Sequence, residues 1–127
     1  MKILLDTHAL IWWLEDNPKL GKLARKYISN PSNEVWVSAV SSWEISLKKS
    51  KGALKFPDGV GEVLAAEGFE FLPISLAETV ETVSMPPLHQ DPFDRLLIAQ
   101  ALLYGLKLFT ADKKILAYPV SHFDCRK

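Results

Sequence analysis

The chain has 127 residues and a mass of 14.3 kDa, a length at which one hydrophobic core buries roughly two thirds of the unfolded surface. Apolar residues make up 48% and charged residues 24%, which excludes a disordered chain, a collagen-like repeat and a coiled coil. Fifteen Lys and Arg balance fifteen Asp and Glu, so no global basic field exists and any hold on nucleic acid or anionic membrane must come from local patches.

Lys2–Leu5 is a short apolar run ending at Asp6 and reads as a buried strand feeding a helix over Thr7–Leu14. Residues 19–29 carry Leu20, Leu23, Ala24, Tyr27 and Ile28 at helical spacing, and Asn30-Pro31-Ser32-Asn33 then turns the chain. Residues 35–37 form a second strand. A helix is expected over 41–50, closed near Gly52, and another over 58–67 with Gly68 at its C-terminal end. Residues 69–73 read as a third strand and 76–83 as a helix, stopped by Met85-Pro86-Pro87 because proline cannot continue it. Asp91 as N-cap and Pro92 at the first helical position open the clearest helix, whose stripe of Phe93, Leu96, Leu97, Ala101 and Leu102 runs to Gly105. Residues 106–109 form a fourth strand, 112–116 a short helix, and Val120 begins a last edge strand. Strands alternating with helices predict one α/β domain over residues 1–127, with a mostly parallel central sheet of four to five strands covered by helices on both faces.

The opening MKILLDTHALIWWL does not read as a secretory signal, because Asp6 and His8 interrupt it and no small-residue cleavage site follows. The longest apolar run, residues 9–14, is far short of the roughly 20 residues that cross a bilayer. Cys125, the single cysteine, cannot form an intrachain disulfide, which fits a reducing, cytoplasmic setting.

Asp6 ends the first strand, Glu44 sits early in the helix after the second, Asp94 lies in the first turn of the Pro92 helix, and Asp112 follows the fourth strand. In an open parallel sheet, strand ends and the starts of the following helices share one edge, so these four would converge. Each also has a local explanation: Asp6 and Asp112 as N-caps, Glu44 closing a capping box with Ser41, and Asp94 favouring the positive end of its helix. Together they are less easily dismissed. Carboxylates converging within about 6 Å raise one another's pKa, a cost that a divalent cation removes. Oxygen ligands without a His/Cys cluster or a calcium loop suit Mg²⁺ or Mn²⁺, and such an ion serves phosphodiester hydrolysis.

The stretches LLDTHALIWWL, VSAVSSWEIS, HQDPFDRLLIAQA and LFTAD, in that order along essentially the whole chain, resemble the PIN-domain ribonucleases, particularly the VapC-type toxins of bacterial and archaeal toxin–antitoxin pairs. The resemblance implies a three-layer PIN-like fold and endonucleolytic RNA cleavage by a metal-activated water. It implies that Asp6, Glu44, Asp94 and Asp112 hold Mg²⁺ or Mn²⁺, with Asp6 and Asp94 as direct ligands, and that Thr7, Ser38 and Thr110 stand beside the site. It also implies a homodimer and a cognate antitoxin that blocks the site. Two rival readings are a non-catalytic member of the same fold, whose acids only cap helices, and an acidic-site phosphotransfer domain, which would need paired acids after the first strand where Asp6 is single.

His8 and Asp91 fall outside the pattern and read as supporting groups or local caps. His89 is expected at the surface rather than in catalysis. Arg95 either contacts the scissile phosphate or, the expected reading, pairs with an acidic neighbour. Lys48, Lys49, Lys51 and Lys55 form the densest cationic group, with Lys22, Arg25, Lys26, Lys113 and Lys114 as others; they read as an RNA-facing patch or as solvated helix faces. Adjacent Trp12 and Trp13 cannot both face one core from a short helix, so one is expected to meet a partner or a covering helix, while Trp36 and Trp43 read as core.

Overall fold

The computed structural model describes residues 1–87 and 89–127. In chain order its elements are β1 (Lys2–Leu5), α1 (Thr7–Leu14), α2 (Lys22–Ser29), β2 (Glu34–Ser38), α3 (Ala39–Ser50), α4 (Val60–Ala66), β3 (Glu70–Leu72), α5 (Leu76–Ser84), α6 (Pro92–Tyr104), β4 (Lys107–Thr110), α7 (Lys113–Leu116) and β5 (His122–Asp124). The strands form one sheet in the order β3-β2-β1-β4-β5, and every neighbouring pair is parallel. This is the α/β architecture expected from the alternation of elements, with the sheet at the upper end of the expected strand number.

The central strands are apolar on both sides because both sides are covered. Ile3 and Leu5 of β1 pack with Val35, Val37 and Phe109 beneath Leu10, Ala24, Ile28 and Leu64 of the helices on one face. Leu4 and Leu108 point to the other face and meet Val40, Leu97, Ile98, Ala101 and Ile115. The period-two alternation of a strand thus splits Ile3, Leu4 and Leu5 of β1, and Leu108 and Phe109 of β4, between two helical layers. Each such side chain contributes roughly 1.5–3 kcal/mol when fully buried. Cys125 is fully buried, and burial pushes its thiol up to about 12, so the lone cysteine is an inert filler.

Several boundaries shift for identifiable reasons. The second helix starts at Lys22 rather than residue 19, because Asn17 Oδ1 accepts the Lys19 amide at 2.9 Å and holds residues 17–20 in a turn. The fourth helix begins at Val60 rather than 58, since Gly59 adopts φ 76°, a left-handed conformation outside the helical region. The third helix begins earlier, at Ala39, with Ser38 as its N-cap accepting the Val40 amide at 3.0 Å. That overturns the expected capping box between Ser41 and Glu44, which lie inside the helix.

The register sets the position of the site. Leu5 of β1 lies level with Val37 of β2 and Phe109 of β4, so the residues that leave these three strands emerge along one edge. The chain winds outward in both directions from the β1–β4 pair, and the crevice above such a pair is where open parallel sheets bind ligands.

The C-terminal segment is strapped across the start of α2: Gly21 and Leu23 donate their amides to Cys125 O and Lys127 O, each at 2.9 Å. A Cβ on Gly21 would stand 2.0 Å from the Lys127 carbonyl carbon and 2.5 Å from Arg126 O, both backbone atoms. Gly21→Ala must therefore displace the strap, and urea unfolding will register a loss of about 1–2 kcal/mol with an unchanged m-value.

Candidate active site

Asp6 follows β1, donates its amide to Phe109 O at 3.1 Å, and is almost fully buried. It caps α1, with Oδ1 accepting the Ala9 amide at 2.7 Å. Burial pushes its pKa up; the Thr110 hydroxyl, the Ala9 amide and His8 pull the other way, and the charge of Asp112 adds to the rise.

Glu44 lies in the second turn of α3 and is also buried. Its Oε2 pairs with Lys48 Nζ at 3.0 Å, one turn on. Its Oε1 is buried without a hydrogen-bond partner among the described residues. A buried carboxylate oxygen lacking a donor is costly and calls for a cation.

Asp94 occupies the third position of α6. The cap of that helix is supplied by Asp91, whose Oδ1 accepts the Phe93 and Asp94 amides at 2.8 and 3.3 Å. Asp94 is therefore not needed as a cap, and its Oδ2 turns to His89 Nε2 at 2.8 Å. Its pKa is pushed up to about 7, first by burial and then by the charge of Asp91, with Asp6 and Glu44 adding and His89 opposing. Asp112 divides its two oxygens: Oδ1 caps α7 by accepting the Lys114 amide at 2.8 Å, and Oδ2 meets His89 Nε2 at 3.0 Å. Burial raises its pKa, yet the His89 hydrogen bond, the Lys114 amide, the His89 charge and the Ile115 amide together outweigh that and hold it below the usual range.

His89 is the residue the sequence placed wrongly. It is buried rather than on the surface, and one ligand atom from each of His89, Asp94 and Asp112 falls within 4.8 Å of the others. Its Nδ1 accepts the Asp91 amide at 3.1 Å, which puts the ring proton on Nε2, between the two aspartates. Arg95 is also corrected. It makes no acidic ion pair among the described residues; instead its guanidinium donates to the carbonyls of Thr82, Met85, Pro86 and His89 and to Tyr118 Oη. Tyr118 Oη in turn donates to Pro86 O at 2.7 Å and accepts the His89 amide at 2.9 Å. Arg95 and Tyr118 thus fix the segment that carries His89, a role invisible in the sequence because it is directed at backbone carbonyls.

Thr110 accepts the Asp112 amide at 3.0 Å, so its hydroxyl serves both Asp6 and Asp112. Thr7 donates to Ser41 Oγ at 3.0 Å, tying α1 to α3. Ser38 donates to buried Gln100 Oε1 at 2.6 Å. His8 is exposed at the rim. Of the dense lysine group, Lys48 is bound to Glu44 and Lys49 to Asp58. Trp13 packs against Phe69 and donates to Glu67 at 3.0 Å, so α1 is covered from within the chain. Trp36 is half-buried, but Trp43 is half exposed rather than core.

The family model for the PIN domain matches residues 3–120. The chain belongs to the PIN-domain family. Among relatives of this PIN domain, Ribonuclease VapC22 of Mycobacterium tuberculosis is 28% identical over 116 residues, covering 89% of this chain and 88% of that protein. Among solved structures, VapBC2 from Rickettsia felis, bound to a DNA fragment from its promoter, superimposes with a TM-score of 0.70 at 15% identity, covering 98% of this chain and 100% of that one. A toxin–antitoxin complex from Klebsiella pneumoniae gives 0.62 at 21% identity, covering 95% of each chain.

The oxygens of this site, with the orphaned Glu44 Oε1 among them, fit a hard divalent cation. An aspartate whose pKa rises on folding binds more protons folded than unfolded, so it costs stability as pH climbs from about 4 toward about 7. Asp6 acts in the same sense, whereas Asp112, held low, loses its contribution as pH falls below about 4. Melting in chelator across pH 5–8 will therefore show stability falling in the unmodified protein. Asp94→Asn will flatten that slope and raise stability at the alkaline end by about 1–2 kcal/mol, a few degrees in Tm. Arg95→Met keeps the stem but removes the donors; it will cost about 1–3 kcal/mol and speed hydrogen exchange of the His89 and Asp91 amides.

Proposed function

We propose that this PIN domain, working as one unit over residues 1–127, is a metal-dependent endoribonuclease and the toxin of a cytoplasmic toxin–antitoxin pair. The observation that carries the reading is the crowding of acids: Asp94 is lifted to about 7 while Glu44 Oε1 lies buried without a donor. Helix caps alone would satisfy their carboxylates and leave no such demand. The relatives support the biological setting, since one is named a ribonuclease and another is a toxin–antitoxin complex.

In this reading Asp6, Glu44, Asp94 and Asp112 supply oxygens to Mg²⁺ or Mn²⁺. When bound, the cation supplies activation of water and charge neutralisation on the phosphodiester. Asp94 must surrender its proton for that role, and a pKa near neutrality lets it do so at little cost. Thr110 orients Asp6 and Asp112, and His89 Nε2 hydrogen-bonds Asp112 while lying 2.8 Å from Asp94 Oδ2. Exposed Lys113 and Lys114, beside Asp112, are placed to meet the RNA backbone.

Two surfaces support partners. A cavity of about 600 Å³, lined by Leu10, Ile45, Phe56, Leu64 and Phe71 among others, lies apart from the four acids and suits an apolar antitoxin segment. Leu76, Val80 and Val83 form an exposed apolar stripe along α5, which suits a second copy in a homodimer.

Purified protein will cleave single-stranded RNA with Mn²⁺ or Mg²⁺ and not with chelator. Asp6→Ala and Asp94→Asn will each lower the rate at least about a hundredfold while remaining folded. Chelator-resistant cleavage would overturn the metal dependence, and no cleavage by the unmodified protein would leave only a binding scaffold.

A further inference from the structure

Trp43 is 50% exposed in the middle of α3, although the residues on either side of its turn, Val40 and Glu44, are buried. Its ring is not loose: it meets Phe93 of α6 edge to face, with centroids 4.8 Å apart and planes at 73°. Each member of this pair immediately precedes a carboxylate of the site, Trp43 before Glu44 and Phe93 before Asp94. Glu44 and Asp94 lie close enough for their charges to repel. The aromatic pair therefore bridges α3 and α6 at the rim of the acidic crevice, with part of the indole open to solvent.

We infer that Trp43, backed by Phe93, is a stacking platform for an unpaired nucleobase adjoining the phosphate that is cut. The inference rests on the nuclease reading and specifies how its substrate is held. A phosphate held at Glu44 and Asp94 would bring a neighbouring base toward the aromatic pair that precedes these two acids. Base–aromatic stacking needs a rigid π-face and tolerates any base. The surroundings favour RNA over a protein partner. Along α3 the exposed neighbours of Trp43 are Ala39, Ser42, Ser46 and Ser50, and the serine hydroxyls suit base edges and ribose hydroxyls. Ala39, Ser42 and Ser46 also line the apolar cavity, so a contact between proteins is the competing outcome of the test. A base paired in a helix presents no free face, so the platform selects loops and single strands.

Steady-state cleavage with Mn²⁺ tests this, using a short single-stranded RNA and a set carrying one abasic nucleotide scanned along it. Trp43→Ala will raise KM roughly tenfold, and Trp43→Phe will keep most of the affinity. One abasic position will cost the unmodified protein a similar factor and cost Trp43→Ala nothing further. An unchanged KM in Trp43→Ala, with cleavage retained, overturns the platform and leaves the nuclease reading standing. Additive losses from the variant and the abasic RNA overturn it too, as does a shift in sedimentation with unchanged KM, which would mark a contact between proteins. If the unmodified protein cuts no RNA, the nuclease reading falls first and the platform with it.

Discussion

Like charges forced together at the end of a parallel sheet govern this molecule. β1, β2 and β4 end level with one another, and an acid follows two of them while others begin on the helices that leave the same edge. None can be moved away, because each is anchored: Asp6 and Asp112 by capping amides, Glu44 by Lys48, and Asp94 by His89. Burial then removes the water that would screen them. The result is a crevice with an excess of negative charge that protons or a divalent ion can offset, and in it burial and the charge of Asp91 push the Asp94 pKa up to about 7.

The devices around the crevice serve that arrangement. Capping and charge clustering, which looked like rival accounts of the same residues, prove compatible, because a carboxylate has two oxygens. In Asp112, one oxygen caps α7 and the other faces His89. Asp91 takes over the cap of α6 and so frees Asp94, while its own charge raises the Asp94 pKa. Arg95 and Tyr118 hold the segment from Thr82 to His89 by its carbonyls and set the one nitrogen donor between two aspartates. Preorganisation of this kind lets a site bind a cation without rebuilding itself.

Much of this was legible in the sequence. Proline at the start of α6, the glycine after it and the apolar runs of the strands state their elements through local sterics and periodicity, and the parallel sheet follows from their alternation. Topology alone predicts that Asp6, Glu44, Asp94 and Asp112 share one edge, and the structure brings ligand atoms of Asp94 and Asp112, with His89, within 4.8 Å of one another. What stayed hidden depends on side-chain direction across loops. A histidine two residues before a cap carries no sign that its ring turns inward, nor does an arginine beside an acid reveal that it will bind carbonyls. Trp43 was read as core, yet it lies 50% exposed on α3 against Phe93 of α6.

Calorimetry of Mn²⁺ binding in two buffers of different ionisation enthalpy, at a pH just below 7 and again well above it, addresses the crowding of charge most directly. With Asp94 poised at about 7, binding should expel roughly half a proton per chain at the lower pH and almost none at the higher. Binding that releases no proton at either pH, or no binding at all, would contradict the account.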